Sequence, residues 1–347
     1  MVNPELTELG VMPERRPNSP RSVWMLPGQG DLAVGSGKEA YDTSSHARAI
    51  FAAGNKILGR PKGYFEKLCF EGPFEELVHS PNGQPALYLV ELAQIAAAVE
   101  NDDPQNPKLV KPDIIAEYSA GAPAALFLAG GVTFKEGLLI ARARGEYTQY
   151  ASDQRGPIKM GTIIKSVKTR PEDFYQLVED ACMRYSGDGK IVQVSAYNSP
   201  STVGITGDEE PVLEAIDFLS DKVKYAQPKE GITIASHCEI MKPGAEKFRS
   251  FLESHPVNDL TIPFIMNGEV VVSGGLAQRH LWEELTVPVY WDRTSRVIAD
   301  RGITGVLEVS VKKLEKKEFL ARCTRESIKG FEDIPQEKRT FEEAVLV

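Results

Sequence analysis

The sequence predicts an α/β fold with a mostly parallel sheet, and two observations support that prediction. Short apolar runs of strand length alternate with longer segments that have the 3.6-residue apolar period of helices. The chain has 347 residues, of which 42% are hydrophobic and 26% charged, as in ordinary globular proteins. That length allows one large domain with an insertion, or two domains.

The first 150 residues contain the alternating pattern. A strand in "SVWMLPGQG" (22–30) enters a Pro-Gly turn, and a broken helical region covers 36–80. The segment "QPALYLVELAQIAAAVE" (84–100) has the period of a buried helix. A second strand, a turn and a helix follow in "DIIAEYSAGAPAALF" (113–127), and a further helix is expected at 134–151.

The middle of the chain has a different order of elements. Between 159 and 222 the patterns read strand, helix, two strands and helix, and a last strand is expected in "ITIAS" (232–236). This order predicts a small ferredoxin-like subdomain inserted into the larger domain. We therefore expect three parts, which are a flexible leader at 1–21, a large domain formed by 22–157 and 231–347, and the small subdomain at 158–230.

Composition excludes several classes of function. A net charge of −9 disfavours nucleic-acid binding, and no apolar run reaches the 18 or more residues of a membrane span. The four cysteines are widely spaced, which fits reduced thiols of a cytoplasmic protein better than a disulfide framework. The five histidines have no metal-ligand spacing, so we expect no metal site.

The turn at Ser119 has the outline of a nucleophile elbow, in which a serine stands between a strand and a helix. Helix N-terminal N–H groups beside such a hydroxyl can stabilise an oxyanion, and Pro123 suits the first helical turn. The usual elbow sequence is G-x-S-x-G, and this chain has Glu117 at the first glycine position. A serine that only caps the helix is the structural alternative.

Two further residues could complete such a site. His237, at the end of the expected strand 232–236, could serve as a base near neutral pH, although a histidine at a strand end is often structural. Arg144 lies on the helix after the elbow, where most arginines are simply solvated.

Six motifs in order give these residues a context. They are "MLPGQG", "QPALYL", "YSAGAPAALFLAGGVTFKEGLLIARARGEY", "YNSPSTVGITGD", "ASHCEIMKP" and "ELTVPVYWDRTSRVIADRGITGVLEV". Together, from Val23 to Val309, the chain resembles the malonyl-CoA:acyl-carrier-protein transacylase family, including stand-alone and polyketide-synthase acyltransferases. The resemblance implies an α/β-hydrolase-like large domain with the inserted ferredoxin-like subdomain.

The resemblance also implies a site and a reaction. Ser119 would be acylated by a CoA thioester, with His237 as general base and Arg144 holding the free carboxylate of a malonyl-type group. The resemblance implies that the backbone N–H groups of Gln29 and Ala120 bind the oxyanion and that the backbone carbonyl of Glu284 orients the base. It also implies four site-lining side chains, which are Gln84, Asn198, Ser236 and Ile234. It implies no bound cofactor, acyl-CoA and a phosphopantetheine thiol as substrates, and an acyl carrier protein as partner.

Three departures from the family pattern indicate an atypical member. Glu117-Tyr118 replaces Gly-His before the serine, and we interpret Glu117 as a surface side chain, the alternative being a charge near the site. Asp31 follows the G-Q-G motif, and Ser310-Val311-Lys312 replaces a Gly-Pro-Gly loop. Two added acids would repel an anionic substrate unless they pair with bases.

Alternatives remain open at this level. The tetrapeptide Ile234-Ala235-Ser236-His237 does not distinguish a malonyl from a branched malonyl unit. A hydrolase of the same fold, acyl transfer to a small-molecule hydroxyl, and a non-catalytic carrier-binding subunit are competing hypotheses, and Arg144 argues against the hydrolase. The basic segment 311–326 is either a docking face for an acidic carrier or a solvated helix, and we favour the solvated helix.

Overall fold

The computed structural model describes residues 3–15, 21–102, 109–229, 231–309, 311, 319–330 and 342–346. Its helices are α1 Pro4–Glu8, α2 Lys38–Thr43, α3 Ser45–Ile57, α4 Tyr64–Glu71, α5 Phe74–Val78, α6 Ser80–Glu100, α7 Ala122–Leu128, α8 Phe134–Asp153, α9 Pro171–Tyr185, α10 Glu209–Ser220, α11 Lys242–Glu253, α12 Gly274–Glu283, α13 Trp291–Asp300 and α14 Phe319–Gly330. Short 3-10 turns occur at Gln29–Asp31, Ser119–Gly121 and Glu239–Met241.

The strands are β1 Ser22–Leu26, β2 Ile114–Glu117, β3 Ile158–Ile164, β4 Val192–Ser199, β5 Thr202–Asp208, β6 Tyr225–Pro228, β7 Phe264–Met266, β8 Glu269–Val271, β9 Val289–Tyr290, β10 Gly305–Val309 and β11 Glu342–Leu346. Six of them form a first sheet in the order β11-β10-β1-β2-β7-β8. The described pairs are parallel except β7 with β8. The prediction of an α/β fold with a mostly parallel sheet is therefore confirmed.

The register of the first sheet positions the site. Leu26 at the end of β1 lies opposite Glu117 at the end of β2, so the two strands finish side by side. The loops that follow them carry Gln29 and Ser119. Ligands of open parallel sheets bind outside the carboxyl ends of the strands, and both loops lie at that edge.

The second sheet has the order β6-β3-β5-β4-β9. Elements β3, α9, β4, β5, α10 and β6 give the expected β-α-β-β-α-β order, but the last strand is Tyr225–Pro228, and the prediction of a strand at 232–236 was wrong. Side chains of α8 bind that segment instead, since Ser152 Oγ accepts from the Ala235 N–H at 3.1 Å. Strand β9, from outside 158–230, pairs with β4, so this sheet draws on both sides of the expected boundary.

The expected flexible leader is wrong for residues 3–15. The Asn3 side chain caps α1, and Leu6 and Val11 are fully buried in the main core. The Glu5 carboxylate accepts a hydrogen bond from the Phe134 N–H at the start of α8 at 2.8 Å. An Asn-Pro helix start followed by apolar residues was the signal in the sequence for this packing.

Helices α6 and α8 pack against each other beneath the site. Helix α6 begins at Ser80, four residues before the expected start, because Pro81 is tolerated in a first turn. Gly145 on α8 makes the close approach possible, since a Cβ there would collide with the Ser80 carbonyl oxygen. Arg144, the preceding residue, is thereby held against the start of α6.

In the described part of the chain, no helix is both long and apolar enough to cross a membrane. The four cysteines, Cys69, Cys182, Cys238 and Cys323, are all buried and unpaired. Burial raises the pKa of each thiol, so these side chains are protonated and inert at neutral pH.

Candidate active site

Ser119 stands on a sharp turn between β2 and α7. Its backbone has a φ of +58°, the left-handed region that non-glycine residues rarely occupy. Gly121 allows the turn, because a Cβ there would lie 2.7 Å from the Pro27 carbonyl oxygen. The backbone is therefore that of a nucleophile elbow, formed with Glu117 at the position usually held by glycine.

Ser119 and His237 contact each other directly. The Ser119 hydroxyl lies 2.7 Å from His237 Nε2, and His237 Nδ1 donates to the Glu284 carbonyl oxygen at 2.7 Å. This second bond leaves Nε2 as the acceptor facing the hydroxyl. Burial and the nearby Arg144 cation lower the pKa of His237 to about 4, so the imidazole is neutral at pH 7.

Arg144 is buried with its guanidinium at the site. Nη2 donates to Ser119 Oγ at 3.1 Å and to Glu284 Oε1 at 2.8 Å, and Nη1 donates to Gln84 Oε1 at 3.0 Å. Its Nε atom is buried without a partner among the described residues. Roles for the Arg144 cation and for the Glu284 backbone carbonyl were predicted from the sequence. The ion pair between Arg144 and the Glu284 carboxylate was not.

The interpretation of Glu117 as a surface side chain was wrong, because only 3% of the residue is exposed. Burial, and then the neighbouring Glu284 carboxyl, raise the pKa of Glu117 well above its usual value. A hydrogen bond joins the two carboxyl side chains. Glu117 is buried because it is the last residue of β2, a strand whose four residues are all buried.

Glu91 is a second buried acid that sequence reasoning missed. It lies on α6, is fully buried, and has no hydrogen-bond partner for either carboxyl oxygen among the described residues. Burial, and then the nearby Asp31, raise the pKa of Glu91 well above its usual range. Its position inside an otherwise apolar helical run was the available signal.

A cleft of about 580 Å³ opens between the two sheets at this point. The residues predicted for the site line it, with Glu284 behind them: Gln29, Gln84, Ser119, Ala120, Arg144, Asn198, Ile234, Ser236 and His237. Gln29 and Ala120 lie in 3-10 turns at the ends of β1 and β2, where the first N–H groups lack intrahelical partners. Both turns face the cleft beside Ser119.

Tyr118 also lines the site, although no role was predicted for it from the sequence. Its hydroxyl donates to Asn198 Oδ1 at 2.7 Å, and its ring packs against Trp291 and Phe319. The tyrosine thus joins the elbow on the first sheet to β4 on the second. An aromatic residue with a hydroxyl at the family's histidine position was the signal available in the sequence.

The mouth of the cleft is basic. Lys229, Arg322 and Arg325 line it, and so does Asp31 from the first 3-10 turn. The preferred interpretation of 311–326 as a solvated helix is wrong for α14, because Leu320 and Cys323 are fully buried. Ser310 and Lys312 of the altered loop lie outside the described residues.

Comparisons with known proteins identify the family of this chain. A family model described as "Acyl transferase domain" matches residues 23–319. The malonyl CoA-acyl carrier protein transacylase of Bacillus subtilis (strain 168) is 28% identical over 290 residues, covering 83% of this chain and 86% of that protein. The polyketide biosynthesis malonyl CoA-acyl carrier protein transacylase BaeC of Bacillus velezensis is 26% identical over 285 residues, covering 81% and 89%.

Solved structures share the fold. A type II PKS acyl-carrier protein in complex with its malonyl-transacylase matches with a TM-score of 0.78 and 26% identity, covering 94% of this chain and 95% of that one. An acyl carrier protein S-malonyltransferase from Vibrio cholerae matches with a TM-score of 0.76 and 26% identity, covering 94% and 96%. The sequence, the fold and the serine–histidine pair together lead to one conclusion: this chain belongs to the acyl transferase domain family and is an acyltransferase.

Proposed function

We propose that this acyltransferase moves a malonyl-type unit from CoA to the phosphopantetheine thiol of an acyl carrier protein, in polyketide or fatty-acid biosynthesis. The observation that carries the proposal is the Ser119–His237–Glu284 arrangement with Arg144 3.1 Å from the serine hydroxyl. The names of the similar proteins, which are malonyl transacylases and one complex with a carrier, support the substrate and the partner.

The first half-reaction acylates Ser119. His237 Nε2 accepts the hydroxyl proton as the Ser119 oxygen attacks the thioester carbonyl, and the Glu284 carbonyl holds the ring through Nδ1. The N–H groups of Gln29 and Ala120 stabilise the oxyanion, and losing one such donor typically costs about 100- to 1,000-fold in rate. The intermediate collapses by expelling the CoA thiolate, which takes the proton from His237.

The second half-reaction reverses these roles. The phosphopantetheine thiol enters the cleft, gives its proton to His237 and attacks the acyl-serine ester. The tetrahedral intermediate then releases the new thioester as His237 returns the proton to the Ser119 oxygen. Nucleophile and base are side chains of the chain itself, and CoA and phosphopantetheine act as substrates. A thioester exchange has little net driving force, so the site must exclude water from the acyl-serine intermediate.

Arg144 would select the acyl group. A guanidinium pairs well with a carboxylate and adds nothing to the binding of an uncharged acyl chain, so it favours the acyl group that carries a carboxylate. Gln84 keeps the guanidinium in place through Nη1. Ile234 and Ser236 line the cleft beside it and would limit the size of any substituent on the malonyl carbon.

A second candidate function has a specific observation in its favour. Because the Glu284 carboxylate already pairs with Arg144, the charge of the guanidinium is balanced in the free protein. Transfer or hydrolysis of an uncharged acyl group would leave this ion pair in place. Transfer or hydrolysis of an uncharged acyl group from an unusual donor is therefore the alternative that an experiment has to distinguish from malonyl transfer.

We also propose the domain division and the location. The division into a large domain (22–157 and 231–347) and a ferredoxin-like subdomain (158–230) is supported by the two sheets, with β9 as the segment that crosses between them. Four buried, unpaired thiols fit a reducing compartment, and the cytoplasm is the one we propose.

Intact-mass spectrometry tests the proposed function. The protein is incubated briefly with malonyl-CoA, methylmalonyl-CoA or acetyl-CoA, with Ser119→Ala and His237→Ala in parallel. We expect a malonyl-type adduct that is absent from Ser119→Ala, is formed far more slowly by His237→Ala, and is transferred to a holo carrier protein. An adduct with acetyl-CoA alone would replace the proposal by the second candidate.

A further inference from the structure

Two buried carboxyl groups, Glu117 and Glu284, lie behind the acyl-binding cation. Only 3% of Glu117 and 4% of Glu284 is exposed, and their side chains are hydrogen-bonded to each other. The mechanism above uses the Glu284 backbone carbonyl and neither carboxyl group. Two acids kept together out of water, beside the reacting serine, call for an explanation.

The hydrogen bonds of Arg144 show what the pair does in the free enzyme. Both hydrogens of Nη2 already have acceptors, namely Ser119 Oγ and Glu284 Oε1, and one Nη1 hydrogen is bound by Gln84. An incoming carboxylate that pairs end-on with Nη1 and Nη2 must therefore displace an existing partner. Glu284 is the partner with the same chemistry as the newcomer.

Charge balance then requires a proton. With a malonyl carboxylate on Arg144, an ionised Glu284 would be a buried charge without a cation. The charged or titratable groups facing it are Glu117 from β2 and Arg144 from α8, and Glu91 from α6 lies behind Glu117. The neutral His237 binds the backbone carbonyl of the same residue. None of the acids can compensate a negative charge, and Arg144 is then engaged by the substrate.

We propose that Glu284 is a specificity-determining residue: it occupies Arg144 in the free enzyme, and takes up one proton from solvent when a malonyl carboxylate replaces it. Arg144 keeps its charge, and Glu284 returns the proton when the acyl group leaves on the carrier thiol. This inference rests on the proposed function. An uncharged acyl group leaves the ion pair intact and binds without a proton.

The inference makes selectivity depend on pH. Binding that takes up one proton weakens by up to about tenfold per pH unit, whereas proton-neutral binding does not. The preference for malonyl-CoA over acetyl-CoA should therefore fall as the pH rises from 6 to 9. The ratio of the two acylation rates, measured by quenched mass spectrometry on the unmodified enzyme, tests this without any variant. A ratio that stays constant over that range would overturn the inference.

Calorimetry identifies the group that takes the proton. An unreactive thioether analogue of malonyl-CoA, in which a methylene group replaces the thioester carbonyl, is titrated into the wild-type protein in phosphate, HEPES and Tris at pH 7. The Ser119 hydroxyl and its contact with Arg144 are thereby kept. The dependence of the heat on buffer ionisation enthalpy gives the number of protons. We expect about one proton for this analogue and about none for the corresponding thioether analogue of acetyl-CoA. In Glu284→Gln, whose glutamine still accepts from Arg144, proton uptake with the malonyl analogue should fall to near zero.

The matched control is Glu91→Gln, which removes a buried acid that has no hydrogen bond to Arg144 and should still take up about one proton. Uptake that persists in the Glu284→Gln protein would assign the proton to another group, such as His237, and overturn the inference. Binding of the malonyl analogue without uptake would do the same, while leaving the proposed function intact. A missing malonyl adduct on wild-type Ser119 would instead remove the proposed function itself.

Discussion

At the scale of single residues, the two reacting groups are held by unusual backbone conformations. Ser119 has a φ of +58° and His237 a φ of +65°, and neither is glycine. Such conformations cost about 1–3 kcal/mol each and persist only where the surroundings impose them. The 2.7 Å contact between Ser119 Oγ and His237 Nε2 is thus built by main-chain geometry as well as by side-chain packing.

The pH dependence of acylation follows from the burial of His237. Burial, and then the Arg144 cation, lower the pKa of His237 to about 4 from an ordinary value of 6.5. The base is therefore competent well below pH 6. We expect kcat/KM for acylation by malonyl-CoA to fall on the acid side near pH 4 and not near 6.5, as measured by quenched-flow mass spectrometry.

Arg144→Gln provides the comparison for this profile. Removing the cation removes one cause of the low pKa, so the acid limb measured with acetyl-CoA should move toward higher pH than in the wild type. Far-UV circular dichroism at each pH excludes unfolding as the source of the loss. An acid limb at 6.5 in the wild type would mean that His237 is solvated in the working enzyme.

Glu117 should make the fold less stable as the pH rises. Its pKa is raised in the folded state, so the stabilisation it contributes is fully present below about pH 4.5 and is lost as pH rises through the folded pKa. In Glu117→Gln this dependence is absent, and the Tm difference from wild type should grow in favour of the variant between pH 5 and 9.

The exposed Glu76→Gln on α5 is the matched control, since it makes the same change in solvent. Its Tm relative to wild type should stay constant over the same range. If Glu117→Gln also ran parallel to wild type at every pH, the buried carboxyl would have to be ionised with an adequate partner.

At the scale of elements, the sequence predicted those with a complete local signal. Strands β1 and β2 and helices α8 and α9 are local apolar patterns, and they lie where expected. The segment 232–236 has the same apolar character, but its backbone is bound by Ser152 of α8, a partner 83 residues away in sequence. The prediction that Glu117 is a surface side chain was wrong for a similar reason. Its burial depends on packing between elements, and the type of a residue does not encode that packing.

Close packing of α6 on α8 should be required for the acyl-binding cation. In Gly145→Ala the new methyl group meets the Ser80 carbonyl, so the helices must separate and Arg144 must move away from Gln84. Overpacking of this kind typically costs about 1–3 kcal/mol of stability. We expect a lower Tm and malonyl acylation slowed by at least about tenfold, since a small misplacement of a binding group can cost more than that.

The control for this change lies two turns earlier on the same helix. In Gly137→Ala the methyl group meets the Tyr88 side chain, far from Arg144. It should lower the Tm to a similar degree and leave the acylation rate near that of the wild type. Equal loss of rate in both variants would show that stability, and not the position of Arg144, limits the reaction.

At the scale of the whole molecule, the site exists only where the two sheets face each other. The first sheet supplies Ser119, the second supplies Asn198, and the Tyr118 hydroxyl bonds across between them at 2.7 Å. Ser119, His237 and Arg144 could be found from the sequence because the motifs of the family mark them, whereas Tyr118 could not. The Glu117–Glu284–Arg144 contacts could not, because they join β2, α8 and the end of α12 only after folding.

Charge is also distributed at this scale. The chain has a net charge of −9, yet Lys229, Arg322 and Arg325 line the mouth of the cleft. CoA phosphates and an acidic carrier protein both have to approach Ser119 through that mouth. A locally basic rim on an acidic protein steers such partners, and the effect weakens as salt is added.

Reversal of one rim charge tests this distribution. Arg322 is exposed at the mouth, so Arg322→Glu should lower kcat/KM for transfer to a holo carrier protein by roughly fivefold, or ~1 kcal/mol, at low salt. The loss should shrink toward 0.5 M salt, because screening removes the steering. Transfer to free pantetheine, which is uncharged, should be unaffected.

Arg249→Glu on α11 is the matched control. It changes the net charge equally, away from the cleft, and should behave as wild type. If both variants lost the same rate, total charge would govern the encounter and the rim would have no special part in it.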